Sequence, residues 1–139
     1  MPRRFLTHLD LIQGLVQGYG TDTLLMDDLS ILSTPTISNK GADYTVVTAD
    51  RWTYFVSTAT VTFTLLAAAA GEGPFRFIVG SANVLSVVPD AGDTIYIGTT
   101  ASATGWQSSL DIGSALELIA IDATNWIAIS NTGSWLAIP

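Results

Sequence analysis

The side chains able to do chemistry are few, and their spacing is poor for it. His8 is the single histidine among 139 residues, and there is no cysteine. A Ser-His-Asp arrangement would have to be built on the first ten residues, with no third group fixed nearby in sequence. His8 therefore reads as an arm residue touching a partner surface, and thiolate chemistry and disulfides are excluded outright. Among the carboxylates, Asp90, Asp93, Asp111 and Glu117 are the candidates for an acid pair of the glycoside-hydrolysing kind or for a calcium site. Asp90 and Asp93 flank Gly92 within one turn, whereas a calcium loop of the EF type needs oxygen ligands at alternating positions over about 12 residues. Ordinary turn composition accounts for them. Asp27-Asp28 reads likewise as a solvated or subunit-facing pair, and Gly18-Tyr19-Gly20 and Gly71-Glu72-Gly73 lack the Lys-Ser/Thr that follows in a phosphate loop. Four tryptophans, Trp52, Trp106, Trp126 and Trp135, are the remaining candidates, as a platform on which a sugar ring could stack. Trp106, in the Gly-Ser-Thr-rich stretch 98–109, is the one expected at the surface as a ligand or interface residue; the others read as core or subunit contacts. No catalytic, metal or cofactor-binding residue is expected, no cofactor, and no enzymatic activity.

What would position any of these groups is β-structure. From about residue 43 the chain is a succession of short strand-like runs separated by turn signals, the pattern of an all-β domain, a small antiparallel β-sandwich or barrel of jelly-roll type. The expected strands are 44–48, 53–57, 61–65, 75–79, 85–88, 94–97, 110–111, 115–121, 126–130 and 135–138. Turns fall at Ala49-Asp50, Gly71-Glu72-Gly73-Pro74, Gly80-Ser81-Ala82-Asn83, Pro89-Asp90-Ala91-Gly92 and Asn131-Thr132-Gly133. Leu116, Leu118 and Ala120, then Trp126, Ala128 and Ser130, recur at every second residue about Asp122-Ala123-Thr124-Asn125, the spacing of a hairpin with one inward face. Phe55, Phe63, Phe75, Phe77, Ile95 and Trp126 are the expected core, and no helix is expected after residue 42, the alanine run 67–70 being the one ambiguous stretch.

Residues 1–42 read differently, as an extended N-terminal arm with a short helical segment, followed by the β-domain at 43–139. Phe5, Leu6, Leu9, Ile12, Leu15 and Val16 lie near helical spacing, but Gly14 interrupts a run of only about 12 residues, too short to hold as an isolated helix. With Arg3 and Arg4 they form the expected partner-binding set, ordered on docking. Charged residues make up 12% of the chain against about 25% in an ordinary soluble protein, and hydrophobic residues 48%. So small a charge complement points to a surface covered by other subunits. The net charge of −7 and a total of five Lys and Arg exclude a nucleic-acid partner. No apolar run approaches the 18 or so residues of a membrane span, and the opening, broken by Thr7, His8, Asp10 and Gln13, does not read as a secretory leader.

The order of strings VTFTLL, GPFRFIVG, NVLSVVPDAGDTIYI and SLDIGSALELIAIDATNWIAIS ending in G-S-W resembles a β-module of bacteriophage virion proteins, tail fibres and capsid-decorating proteins, over nearly all of residues 44–138. Arg3-Arg4-Phe5-Leu6-Thr7-His8-Leu9-Asp10-Leu11 is similar to the opening of phage fibre-type proteins that anchor to the virion, although Ile12-Gln13-Gly14-Leu15-Val16-Gln17-Gly18 departs from the polar segment usual there. The resemblance implies a homotrimer. It implies a virion structural protein, assembled in the host cytoplasm, whose partners are itself and either the major capsid protein, as a decoration or cement protein, or tail and baseplate subunits, as a short tail fibre that meets host glycan.

Overall fold

A computed structural model describes residues 35–139. The arm set Arg3, Arg4, Phe5, Leu6, Leu9, Ile12, Leu15 and Val16, together with His8 and Asp27-Asp28, lies outside the described residues.

Twelve short strands follow one another: β1 (Thr36–Lys40), β2 (Tyr44–Thr45), β3 (Thr53–Ser57), β4 (Val61–Thr64), β5 (Phe75–Val79), β6 (Val84–Val88), β7 (Thr94–Ile97), β8 (Thr100–Ser102), β9 (Trp106–Ser109), β10 (Ala115–Ala120), β11 (Asn125–Thr132) and β12 (Leu136–Ala137). A single 3-10 turn at Thr48–Asp50 is the only helical element among the described residues. The strands build two sheets, one of seven in the order β1-β3-β5-β10-β11-β7-β8 and one of five in the order β12-β9-β6-β4-β2. Period-two burial is the reason these runs are strands: Thr53, Phe55 and Ser57 are buried on β3, Val61 and Phe63 on β4, and Phe75, Phe77 and Val79 on β5, with less buried residues between them.

The first half of the domain winds rather than folding back. β1, β3 and β5 lie in the larger sheet and β2, β4 and β6 in the smaller, so the chain crosses the core after each strand. Every step within a sheet is parallel: β1 to β3, β3 to β5, β2 to β4 and β4 to β6. The result is a flattened coil of three circuits. The second half then pairs in mixed senses: β10 is antiparallel to β5 and to β11, β7 is parallel to β11, β8 is antiparallel to β7, and in the smaller sheet β9 is antiparallel to β6 and β12 to β9. The sandwich expected from the sequence is thus present, but its sheets are mixed where antiparallel ones were expected. A tight turn returns a strand beside its neighbour, whereas the loops at 58–60 and 65–74 carry the chain across to the opposite sheet, so that successive apolar faces meet across the core. β1 falls in the stretch the sequence assigned to the arm, yet it pairs with β3 along its whole length.

Aromatic rings join the two sheets. Phe63 on β4 lies 5.1 Å from Phe55 on β3 and 5.0 Å from Phe77 on β5, centroid to centroid, and Phe55 and Phe77 stack at 5.6 Å. Tyr44 on β2 extends the cluster to Phe55 at 5.5 Å, and Phe75 meets Trp126 at 5.8 Å. All six side chains expected in the core are completely enclosed, each contributing about 1.5–3 kcal/mol of burial. The alanine run forms no helix. Its Ala68 N–H instead donates to the buried carboxylate of Asp93 at 2.7 Å.

Two expectations are corrected at the chain's turns. Residues 110–111 are not a strand: Leu110 has φ of 66°, and Ser114 N–H donates to the Asp111 carbonyl in a turn. The stretch 98–109 is not a loop but carries β8 and β9, separated by a turn at 103–105. After Gly133, whose φ is 77°, the chain does not return along β11; β12 crosses to the smaller sheet and pairs with β9. Trp135 seals that crossing, its indole N–H donating to the carbonyls of Thr132 at 3.0 Å and Ala115 at 3.2 Å.

Candidate interaction surface

Of the acidic residues considered for chemistry, Asp93 and Glu117 have their carboxylates occupied elsewhere in the fold, while Asp90 and Asp111 lie in turns closed through their backbone carbonyls. Asp93 caps Ala68 from inside the core, the carbonyl of Asp90 closes its own turn by accepting from Asp93 N–H at 3.0 Å, and Asp111 sits in the 110–114 turn. Glu117, on β10, pairs with Arg76 of β5, whose Nε donates to Oε2. No group of three or more His, Asp or Glu able to hold a metal occurs among the described residues. Trp106 is buried rather than at the surface: it is 5% exposed, and its indole N–H donates to the Ile95 carbonyl at 3.0 Å. It ties β9 of one sheet to β7 of the other. A sugar platform at Trp106 is therefore absent, because its ring is core.

The outer face of the seven-stranded sheet is where unsatisfied surface gathers. In register across it run Ile37 on β1, Tyr54 on β3, Arg76 on β5, Glu117 on β10 and Ser130 on β11. The next row is Asn39, Val56, Ile78 and Ala115. On the other side Ile119, Ile127, Tyr96 and Ala101 line up across β10, β11, β7 and β8. Trp52, just before β3, joins this face because the Arg76 guanidinium lies over its ring at 5.5 Å and over that of Tyr54 at 4.7 Å. Such cation–ring contacts hold the guanidinium flat against the sheet. Between β3, β5, β10 and β11 lies a shallow depression of about 230 Å³, lined by Tyr54, Arg76, Ile78, Ala115, Glu117 and Ser130.

Trp52 is held there at a cost. Its φ of 65° is unusual for a bulky side chain. The conformation is fixed by its N–H, which donates to the Pro74 carbonyl at 3.0 Å, and by the preceding Arg51, which pairs with Glu72 at 3.0 Å. The ring remains half exposed at 52%.

The smaller sheet's outer face is the more polar. Its outward residues are Thr45 on β2, Thr62 and Thr64 on β4, Ser86 on β6 and Gln107 and Ser109 on β9, with Val84, Val88 and Leu136 between them. None of these is charged.

Charge is distributed to match. Residues 36–139 hold three basic and eight acidic side chains, a net of −5, yet the rows on the larger sheet's outer face contain only Arg76 and Glu117, which pair. The remaining charges serve edges and turns. The Asp50 carboxylate accepts from the Tyr44 hydroxyl at 3.0 Å and from Val47 N–H at 2.9 Å. Desolvation, then the hydrogen bond to Asp50 and that residue's charge, push the Tyr44 phenol above its ordinary value. Lys40 Nζ sits 3.6 Å from the centre of the Tyr44 ring. In the β10–β11 turn, Asp122 is held below its ordinary value, chiefly by the Asn125 side-chain amide and then by the Thr124 backbone N–H.

The set Trp52, Tyr54, Arg76 and Glu117 was not singled out as a unit from sequence, because its members lie on three strands joined by crossovers. A signal was nonetheless present. Strand β4 (VTFT) places polar residues at alternate positions, whereas β3 (TYFVS), β5 (FRFIV), β10 (ALELIA) and the start of β11 (NWIAI) carry Val, Ile or Ala on the outward face as well as the inward one. Strands of that kind belong to sheets covered on both sides.

No protein-family model matches the chain, and no curated protein is significantly similar to it.

Proposed function

We propose that this chain is a non-enzymatic structural protein of a bacteriophage virion: a self-associating β-sandwich, trimeric in the assembled state, that decorates and stabilises the capsid shell through the residues that precede β1. The observation that carries the reading is the apolar, charge-paired outer face of the seven-stranded sheet on a chain with 12% charged residues. A monomer in water gains nothing from such a face, while an assembly component needs one. The sequence likeness of residues 44–138 to phage virion modules supplies the setting, and the apolar set from Phe5 to Val16 supplies the attachment to capsid subunits. Three arms on one trimer act by effective concentration, the first engagement raising the local concentration of the other two.

Gold labelling of the protein in intact particles, viewed by electron microscopy, tests this. Label distributed over the shell is the expected result. Label confined to the tail would assign the chain to a short tail fibre or baseplate-attached protein, and absence of label from purified particles would overturn the virion reading.

A further inference from the structure

At the depression on β3, β5, β10 and β11 the geometry points to a binding site for a neutral sugar, with Arg76 and Glu117 holding its hydroxyls and Trp52 as its platform. The inference goes beyond the reading above and does not rest on it, since the row Ile119, Ile127, Tyr96 and Ala101 stays free for assembly. A sugar ring has apolar C–H faces and a rim of hydroxyls, each of which donates and accepts. Its site therefore needs an aromatic face beside donors and acceptors set next to one another. Cross-strand register supplies the donors and acceptors. Tyr54 pairs with Arg76, Arg76 with Glu117 and Glu117 with Ser130, one polar row over four neighbouring strands. Arg76 Nε is taken by Glu117 Oε2, which leaves the terminal guanidinium nitrogens as donors and Oε1 as an acceptor beside them. That alternation suits two adjacent hydroxyls of one ring, the first accepting from Arg76 and the second donating to Glu117. Trp52 supplies the aromatic face. With the Arg76 guanidinium over it, the side chain is still 52% exposed. Its φ of 65° is a conformation that bulky residues rarely adopt and that gathers at ligand sites. Size and charge set the class of ligand. The depression, about 230 Å³ and floored by Ile78 and Ala115, falls below the about 300–1,000 Å³ of a pocket for a drug-sized molecule, so it takes a single ring. Arg76 is neutralised by its partner and residues 36–139 carry a net −5, so an anionic sugar is repelled and a neutral one is not.

The test is an array of immobilised oligosaccharides ending in neutral glucose, galactose, mannose or N-acetylglucosamine, with sialylated ones alongside. It is probed with the fluorescently labelled full chain and three variants, and circular dichroism melts are the folding control. Wild type is expected to bind a subset of the neutral sugars. Trp52→Gly removes the platform while suiting the backbone angle, and is expected to lower the signal at least about tenfold without an earlier melt. Ser130→Leu, at an exposed position, fills the depression and is expected to fold as wild type and to bind at least about tenfold less. If Trp52→Gly melts early, Ser130→Leu decides alone. Leu110→Ala, 65% exposed and off the polar row, is expected to change nothing. Wild type that binds no glycan, or only sialylated ones, overturns the inference, as does binding unaffected by a folded Ser130→Leu or lost equally in Leu110→Ala. None of these results needs a particle, so the virion reading stands or falls separately.

Discussion

Asp122 shows how one side chain can specify a turn. Its carboxylate accepts from the backbone N–H groups of Thr124 and Asn125, both at 2.8 Å, and from the Asn125 amide, which reaches both oxygens at 2.9 and 3.0 Å. Bonds to the ionised form lower its proton affinity. A carboxyl lowered on folding adds stability that is fully present above its ordinary value of 3.8 and is lost as pH falls through the lowered one. Asn125→Ala removes the largest cause and is expected to bring the Asp122 titration, followed by NMR of its side-chain carboxyl carbon, back toward that ordinary value; an unchanged midpoint would contradict the assignment. Trp106 teaches the complementary lesson. The Gly-Ser-Thr-rich text of 98–109 suggested a surface position, but the ring spans from β9 to β7 and its N–H finds a backbone carbonyl in the other sheet. Trp106→Phe is expected to cost about 1–3 kcal/mol in chemical denaturation through that lost bond. It should have no separate effect on glycan binding.

At the scale of elements, strands rich in aromatic and β-branched residues were legible, and Thr53–Ser57, Phe75–Val79 and Thr94–Ile97 coincide with the expected bounds. β1, β8 and β9 were not, because Thr and Ser dominate their text, and β1 and β9 pair with partners more distant in sequence. Strand direction was also hidden. Gly71-Glu72-Gly73-Pro74 is as compatible with a hairpin as with a crossover, and only the opposing sheet, which needs β4 and β6 adjacent, decides between them. The candidate surface was half legible for the same reason: apolar residues on both faces of β3 and β5 are in the text, but their alignment into rows is a property of the winding. One glycine enforces an element boundary. Gly105, between β8 and β9, has φ of 102°, and a Cβ there would stand 2.3 Å from the Val87 carbonyl oxygen of β6. Gly105→Ala is therefore expected to lower stability by at least about 1–3 kcal/mol, read from the denaturation midpoint.

For the whole molecule, the proposed division of labour is between a sandwich that assembles and an arm that attaches. Arm attachment would be dominated by apolar burial, at about 1.5–3 kcal/mol for each large side chain enclosed, over exposed ion pairs of Arg3 and Arg4 at about 0–1 kcal/mol. Deleting residues 2–20 is expected to leave the sandwich folded and self-associated while abolishing co-sedimentation with particles; retained co-sedimentation would sink the arm's role. The coiled first half has a further consequence, for synthesis. On a ribosome, β3 meets β1 and β5 meets β3 almost as soon as each emerges, so circuits can be laid down in the order they are translated. β5, however, waits for β10, whose Glu117 answers Arg76 from far downstream. Until residues 115–120 are released, nascent β5 presents an unpaired edge at what will become the middle of the sheet. That interval is when neighbouring chains on one message are most apt to join at the wrong strand.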